Sequence, residues 1–329
     1  MWHTKEEASE KFPGVTFYGD VWIEHGVRIE DGARIWQNVR IEKNVVIKRG
    51  VRIRHNVTIG QFVDIEQDTK IWQGVSIGQG VRLGQDAVIE QGVEIGQYTR
   101  VGQNIRIGQN VRIGQCVRIG QCVDIEQDTK IWQCVRIGQN AVIGQGVTIG
   151  QSVEIEKNVV IGQSVEIEKD VWIEQNVVIE QDVKIEKNVW IEQNVVIEQD
   201  VKIEKNVVIE QDVKIEQDVV IEQDVKIEQD VVIEQDVKIE QDVVIEQGAM
   251  IGLGVRIRKS VEIESGAKVR TGKLVKPKKK TTVPITLPDS LEGGCVHIDL
   301  TVSDDVGEIT IKPNKDYTTV VTVEVKGEN

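Results

Sequence analysis

A chain of 329 residues with 40% hydrophobic but only 4% aromatic content is too poor in Leu and Phe for an ordinary globular core of that size. Its apolar residues are nearly all Val and Ile, which favours strands over helices, and no stretch reaches the apolar length of a membrane-spanning helix. The net charge of −14 is concentrated in Val153–Gln247, which holds 17 Glu and 9 Asp against 9 Lys; such a body is a poor partner for duplex nucleic acid and is better suited to solubility and ordered self-association.

Residues 1–16 read as a cap over the first turn of a repeat region, because an open end would expose unpaired strand edges. Met1–Lys11 is charged and does not resemble a secretory signal, so a cytoplasmic setting is the default, with an extracellular one left open.

From 17 to 275 the chain repeats every six residues. Stepping by six from Ile23 to Val269 meets an aliphatic residue 42 times in succession, with only Leu83, Val101 and Val269 replacing Ile. Two residues before each stands Val, or occasionally Ala, Thr or Ile. That alternation puts both on one face of a strand, with the residue between them pointing out. Three residues after each aliphatic position comes Gly, Asn or Asp in 34 of 42 hexads, the residues that accept a left-handed backbone at low cost. The exceptions are Phe62, Tyr98, Cys116, Cys122, Cys134, Ser152, Ser164 and Ser260. A short strand followed by a sharp corner, repeated without insertion, winds into a coil. Gln residues two after the aliphatic position should stack and add amide hydrogen bonds between coils.

Residues 276–288 form a basic linker with Pro277, Pro284 and Pro288. Alternation then returns at Cys295–Val302, Glu308–Lys312 and Thr318–Lys326, predicting a small antiparallel β module over 289–329.

The repeat resembles that of the bacterial hexapeptide-repeat family, whose members fold as left-handed parallel β-helices with three hexads per coil. The resemblance implies an all-β chain of about 14 coils, roughly 65 Å long at the spacing of neighbouring strands, and it supplies the winding hand, since general crossover rules favour the opposite one. Many members are acyltransferases and some are zinc enzymes. Ala33–Gln37, Thr69–Gln73 and Thr129–Gln133 are similar to the stretch of sugar N-acetyltransferases that carries a general-base His. Gln37, Gln73 and Gln133 stand at the His position and cannot take a proton near neutral pH. Only His3, His25, His55 and His297 are present, and His25 and His55 are 30 residues apart, which is no multiple of an 18-residue coil, so a His₃ zinc site is not expected. No catalytic residue, metal or cofactor is assigned.

An 18-residue coil places Arg82, Arg100, Arg118 and Arg136 in one column, beside Gly84, Gly102, Gly120 and Gly138. Stacked guanidinium groups repel unless something anionic covers them, and a copy of the same chain could supply it from the column Glu156, Glu174, Glu192, Glu210, Glu228 and Glu246. Val160, Val178 and Val196 form an outward apolar column, and Trp172, Trp190 and Val208 another, both reading as contact surface. Cys116 and Cys134 share a corner one coil apart, within reach of a disulfide, although reduced thiols are the expected state in a cytosolic setting. The sequence thus points to a structural protein that associates with itself, as a homotrimer or an end-to-end polymer. An acyltransferase with an inter-subunit site and a polyanion-binding protein are the alternatives.

Overall fold

The computed structural model describes residues 1–269 in full and, beyond them, the backbone of four strands. Residues 17–269 form a left-handed parallel β-helix of about 14 coils with three flat faces. Face 1 starts at Val21–Ile23, face 2 at Arg28–Ile29 and face 3 at Thr16–Phe17. Every strand pairs in parallel with the one 18 residues on, as Arg82 with Arg100 and Ile161 with Ile179, so a column read every 18 residues is a physical column.

The corners follow the local chemistry predicted for them. Each corner residue from Gly26 to Gly266 has positive φ, between 54° and 79°, including Phe62, Tyr98, the three cysteines and the three serines. Those eight carry the same conformation without glycine's freedom; repetition of the coil imposes it. Inside, Val and Ile are almost completely buried in one continuous core, each contributing on the order of 1.5–3 kcal/mol. Thr69, Thr99 and Thr129 replace Val at inward positions and are fully buried. Each hydroxyl donates to a carbonyl on the next coil, Gly84, Gly114 and Gly144 respectively, at 3.0–3.1 Å, which removes the cost of burying them.

The amide ladders lie mainly at the corners. Asn140, Asn158, Asn176, Asn194 and Asp212 form an unbroken chain of side-chain bonds at 3.0–3.1 Å. Gln–Gln bonds of the expected kind join Gln175 to Gln193 and Gln181 to Gln199. The shorter Asn side chain at a fixed left-handed corner has less freedom to lose on ordering. Replacing Asn176 with Val forces a β-branched residue into that conformation, at about 1–2 kcal/mol, and removes two ladder bonds. Thermal or urea denaturation should therefore rank the variants wild type, Asn176→Gly, Asn176→Val from most to least stable; a Val variant as stable as wild type would contradict this.

At the N-terminus, Trp2–His3 pairs antiparallel with Val21 and Trp22, and a helix, α1 (Lys5–Lys11), lies against the first coil. Its start is a capping box, with the Glu7 N–H donating to the Thr4 hydroxyl and the Thr4 N–H to the Glu7 carboxylate. Ala8 joins the core and Phe12 packs against it.

The C-terminal strands require a correction. Four strands are present, Lys279–Ile285, Val296–Val302, Val306–Pro313 and Val321–Gly327. The first pairs with the third and the second with the fourth, both in parallel, where an antiparallel module was expected. A period of two marks a strand without fixing the direction of its partner. Pairing alternate strands turns what would have been hairpins into crossovers. The first of these strands occupies part of the predicted basic linker, 276–288. Cys295 and the remainder of that linker lie outside the described residues.

Candidate functional site

Face 2 gathers the features that the sequence left on separate columns. Arg82, Arg100, Arg118 and Arg136 are stacked rung on rung, and Glu154, Trp172, Trp190 and Val208 continue the same sheet. The arginines are exposed. Arg82 at one end pairs with Asp64 at 3.6 Å, and Arg136 at the other with Glu154 at 3.4 Å. Arg100 and Arg118, between them, have no acidic partner within ion-pair distance among the described residues. An open groove of about 440 Å³ runs along the lower half of the ladder, lined by Arg118, Gly120, Arg136, Gly138, Glu154 and Glu156. The glycines make its floor low: a Cβ on Gly120 would meet the Gly138 carbonyl carbon at 2.7 Å.

Trp172 and Trp190 are each 43% exposed and stack at 5.2 Å between centroids with an interplanar angle of 11°. Stacking removes their inner faces from water and leaves the outer edges as one wide aromatic surface. The acidic column Glu156–Glu246 follows the glycine column along the same edge. Burial, and then Glu210 and Glu174 on either side, push the Glu192 carboxyl above its ordinary range. Further down the shaft Lys226 bridges two acids of this column, Glu210 at 2.9 Å and Glu228 at 3.0 Å, and on face 3 Lys214 likewise reaches Glu198 at 3.1 Å and Glu216 at 3.0 Å. Hydrogen bonding to these carboxylates raises both lysines.

The apolar column of Val160, Val178 and Val196 lies on face 3 and begins one coil earlier than the sequence indicated, at Val142. Val142 and Val160 are exposed, while Val178, Val196 and, on face 2, Val208 are half-buried. This column is therefore less available than the tryptophans.

Face 1 carries an open groove of about 640 Å³ between two glycine tracks, lined by Ser76, Glu94, Arg112 and Lys130 and bounded by Trp132. Around the edge between faces 3 and 1, Tyr18 stacks on Trp36 at 4.5 Å, and the Arg54 guanidinium lies 4.3 Å from Trp36 and 5.3 Å from Trp72. His55 sits beside them, half-buried, with Nδ1 buried and without a hydrogen-bond partner. It occupies the column of Gln37 and Gln73, one coil from each. In the sequence His55 stood out only as a candidate zinc ligand; the spacings from 37 to 55 and from 55 to 73 carried the signal for this second placement.

Cys116, Cys122 and Cys134 are free, exposed thiols. Cys134 donates its backbone N–H to the Gln115 carbonyl at 3.0 Å, which sets it directly beside Cys116 on the neighbouring coil. Mild oxidation should link Cys116 to Cys134 within one chain, as read by peptide mapping; a Cys116–Cys122 link would contradict the coil register. Among the described residues no group of three or more His, Cys, Asp or Glu is placed to hold a metal ion, and no helix is long and apolar enough to cross a membrane.

Family models match in three segments. The model for bacterial transferase hexapeptide (six repeats) covers residues 26–61 and 182–217, and the model for the GMPPB C-terminal domain covers 84–184. A comparison with curated protein sequences finds no match. Among solved structures, the chain is similar to AntD, an N-acyltransferase from Bacillus cereus, at 15% identity and TM-score 0.34, covering 36% of this chain and 80% of that one. It is also similar to the UDP-N-acetylglucosamine acyltransferase of Francisella novicida at 15% identity and TM-score 0.23, covering 78% and 64%. A third similar structure is perosamine N-acetyltransferase from Caulobacter crescentus, at 16% identity and TM-score 0.19, covering 45% and 52%. The chain thus spans less than two thirds of the second and third of these. Forty-two hexads in phase wind into three parallel faces, and the hexapeptide model matches two stretches of that same β-helix.

Proposed function

We propose that the protein is a structural, self-associating β-helix, a scaffold that forms homo-oligomers through the sides of its shaft. The observation that carries this reading is face 2, where two arginines without acidic partners and a stacked, exposed tryptophan pair share one flat sheet. Water-exposed aromatic surface of this kind gains on contact, and unpaired guanidinium groups beside it favour a partner that brings carboxylates or ring faces. The sequence suggested two assemblies, a homotrimer or an end-to-end polymer. An end-to-end polymer is disfavoured by α1, which lies over the first coil and seats Ala8 in the core. A trimer with face 2 at its centre would set the arginine ladders of all copies side by side at one height. Lateral contact in another arrangement fits the charges better. Sedimentation velocity of the purified chain at micromolar concentration tests the reading; a monomer there would refute it.

The second reading is acyl transfer, and His55 is the observation in its favour. Its buried, unpartnered Nδ1 lies in the column where the family resemblance puts a general base. The scaffold reading predicts no turnover of an acyl thioester. Turnover that His55→Ala abolishes would establish the enzyme instead.

A further inference from the structure

We infer that face 2 is self-complementary end to end, and that two copies of the chain pack face 2 against face 2 with their shafts antiparallel. The inference rests on the scaffold reading and specifies its geometry.

Face 2 is a sheet of 14 parallel strands, so its midpoint falls between Arg136 and Glu154. A two-fold axis in the interface at that point reverses the second copy and sets each rung against the rung equally far on the other side. Such an isologous contact requires one surface to complement itself. Arg136 then faces Glu154. Arg118 faces Trp172 and Arg100 faces Trp190, so the two arginines without acidic partners meet the two stacked rings, an arrangement of cation–π type. Further out, Asp64 faces Lys226, Val46 faces Val244, and Arg28 faces Glu262. Only Arg82, against Val208, lacks a matched partner. No rung sets like charge against like, and the two-fold repeats every pairing on the opposite half.

The other faces lack this property. Reversed in the same way, face 1 would set Arg40 against Lys238. Face 3 has 15 strands centred on Val142, and its reversal would set Lys70 against Lys214. The relief of face 2 agrees with its charges. The groove over Gly120 and Gly138 opens beside Arg118, where the partner's Trp172 would be seated. A contact about 65 Å long and roughly 13 Å wide covers on the order of 800 Å² per copy, the size of a standard specific interface.

Cross-linking reads the register directly. In a background with Cys116, Cys122, Cys134 and Cys295 replaced by Ser, three variants are compared: Val46→Cys, Val244→Cys and the double variant. Packed sheets lie about 10 Å apart, so a short bismaleimide is the probe. The expected result is a covalent dimer from the double variant, with peptide mapping joining position 46 to position 244, and at most traces from either single variant. Efficient cross-linking of Val46→Cys alone would show parallel packing and overturn the inference. So would sedimentation showing an assembly in which no 46–244 link forms, while leaving self-association standing. A monomer in sedimentation would instead remove the scaffold reading itself.

Discussion

Replacing Trp172 and Trp190 together with Lys should dissociate the assembly while leaving the β-helix intact. Both side chains are outward and 43% exposed, so the core beneath them, Ile173 and Ile191, is untouched. Buried tryptophans at the centre of interfaces cost about 2–4 kcal/mol each when lost. In the antiparallel pair each new ammonium would also oppose Arg118 or Arg100. The expected change is an increase in dissociation constant of at least roughly a thousandfold, since each 1.4 kcal/mol is tenfold, with an unchanged circular dichroism spectrum and melting temperature. Raised salt should slow association of the wild type more than it reverses it, because charge here sets orientation and rate while the rings supply most of the strength. A double variant that assembles as tightly as wild type would show that the contact lies on another face.

The second large effect concerns the shaft itself. Ile143 is fully buried near its middle, stacked between Ile125 and Ile161. Ile143→Asp puts a carboxylate there with no partner, at about 3–5 kcal/mol. In a solenoid each coil is stabilised chiefly by its neighbours, so a mid-shaft defect uncouples the two halves. The expected result is loss of one cooperative melting transition in favour of two, with proteolytic cleavage appearing near residue 143. Ile143→Val should keep a single transition. If the Asp variant also melts in one step at the wild-type temperature, the continuous core is not what holds the coils together.

Much of this molecule was legible in its sequence because the repeat has no insertion. Every corner from Gly26 to Gly266 stands where the six-residue step put it. Once the coil is 18 residues, any column can be read off, including the arginine ladder and the tryptophan pair. The capping box at Thr4 and Glu7 was present in the sequence as well, and α1 could have been recognised from it. What was not legible has physical reasons. Strand direction in the C-terminal segment depends on which partner is met, and alternation is the same for both directions. The isolation of Arg100 and Arg118 from acidic groups depends on where side chains reach; sequence places four equal arginines and cannot tell the neutralised ends from the bare middle. Placing the arginines and tryptophans on one face was a matter of arithmetic, since Arg136 and Trp172 differ by two coils. Treating each column as a separate feature hid it, and with it the symmetry of the whole face.

Mass in solution is the decisive quantity for lateral self-association. Sedimentation velocity and equilibrium on the wild-type chain of 36.9 kDa, at micromolar concentration and moderate salt, should give twice that mass with the frictional ratio of an elongated particle. A species at the single-chain mass throughout that range would contradict the scaffold and its paired faces alike.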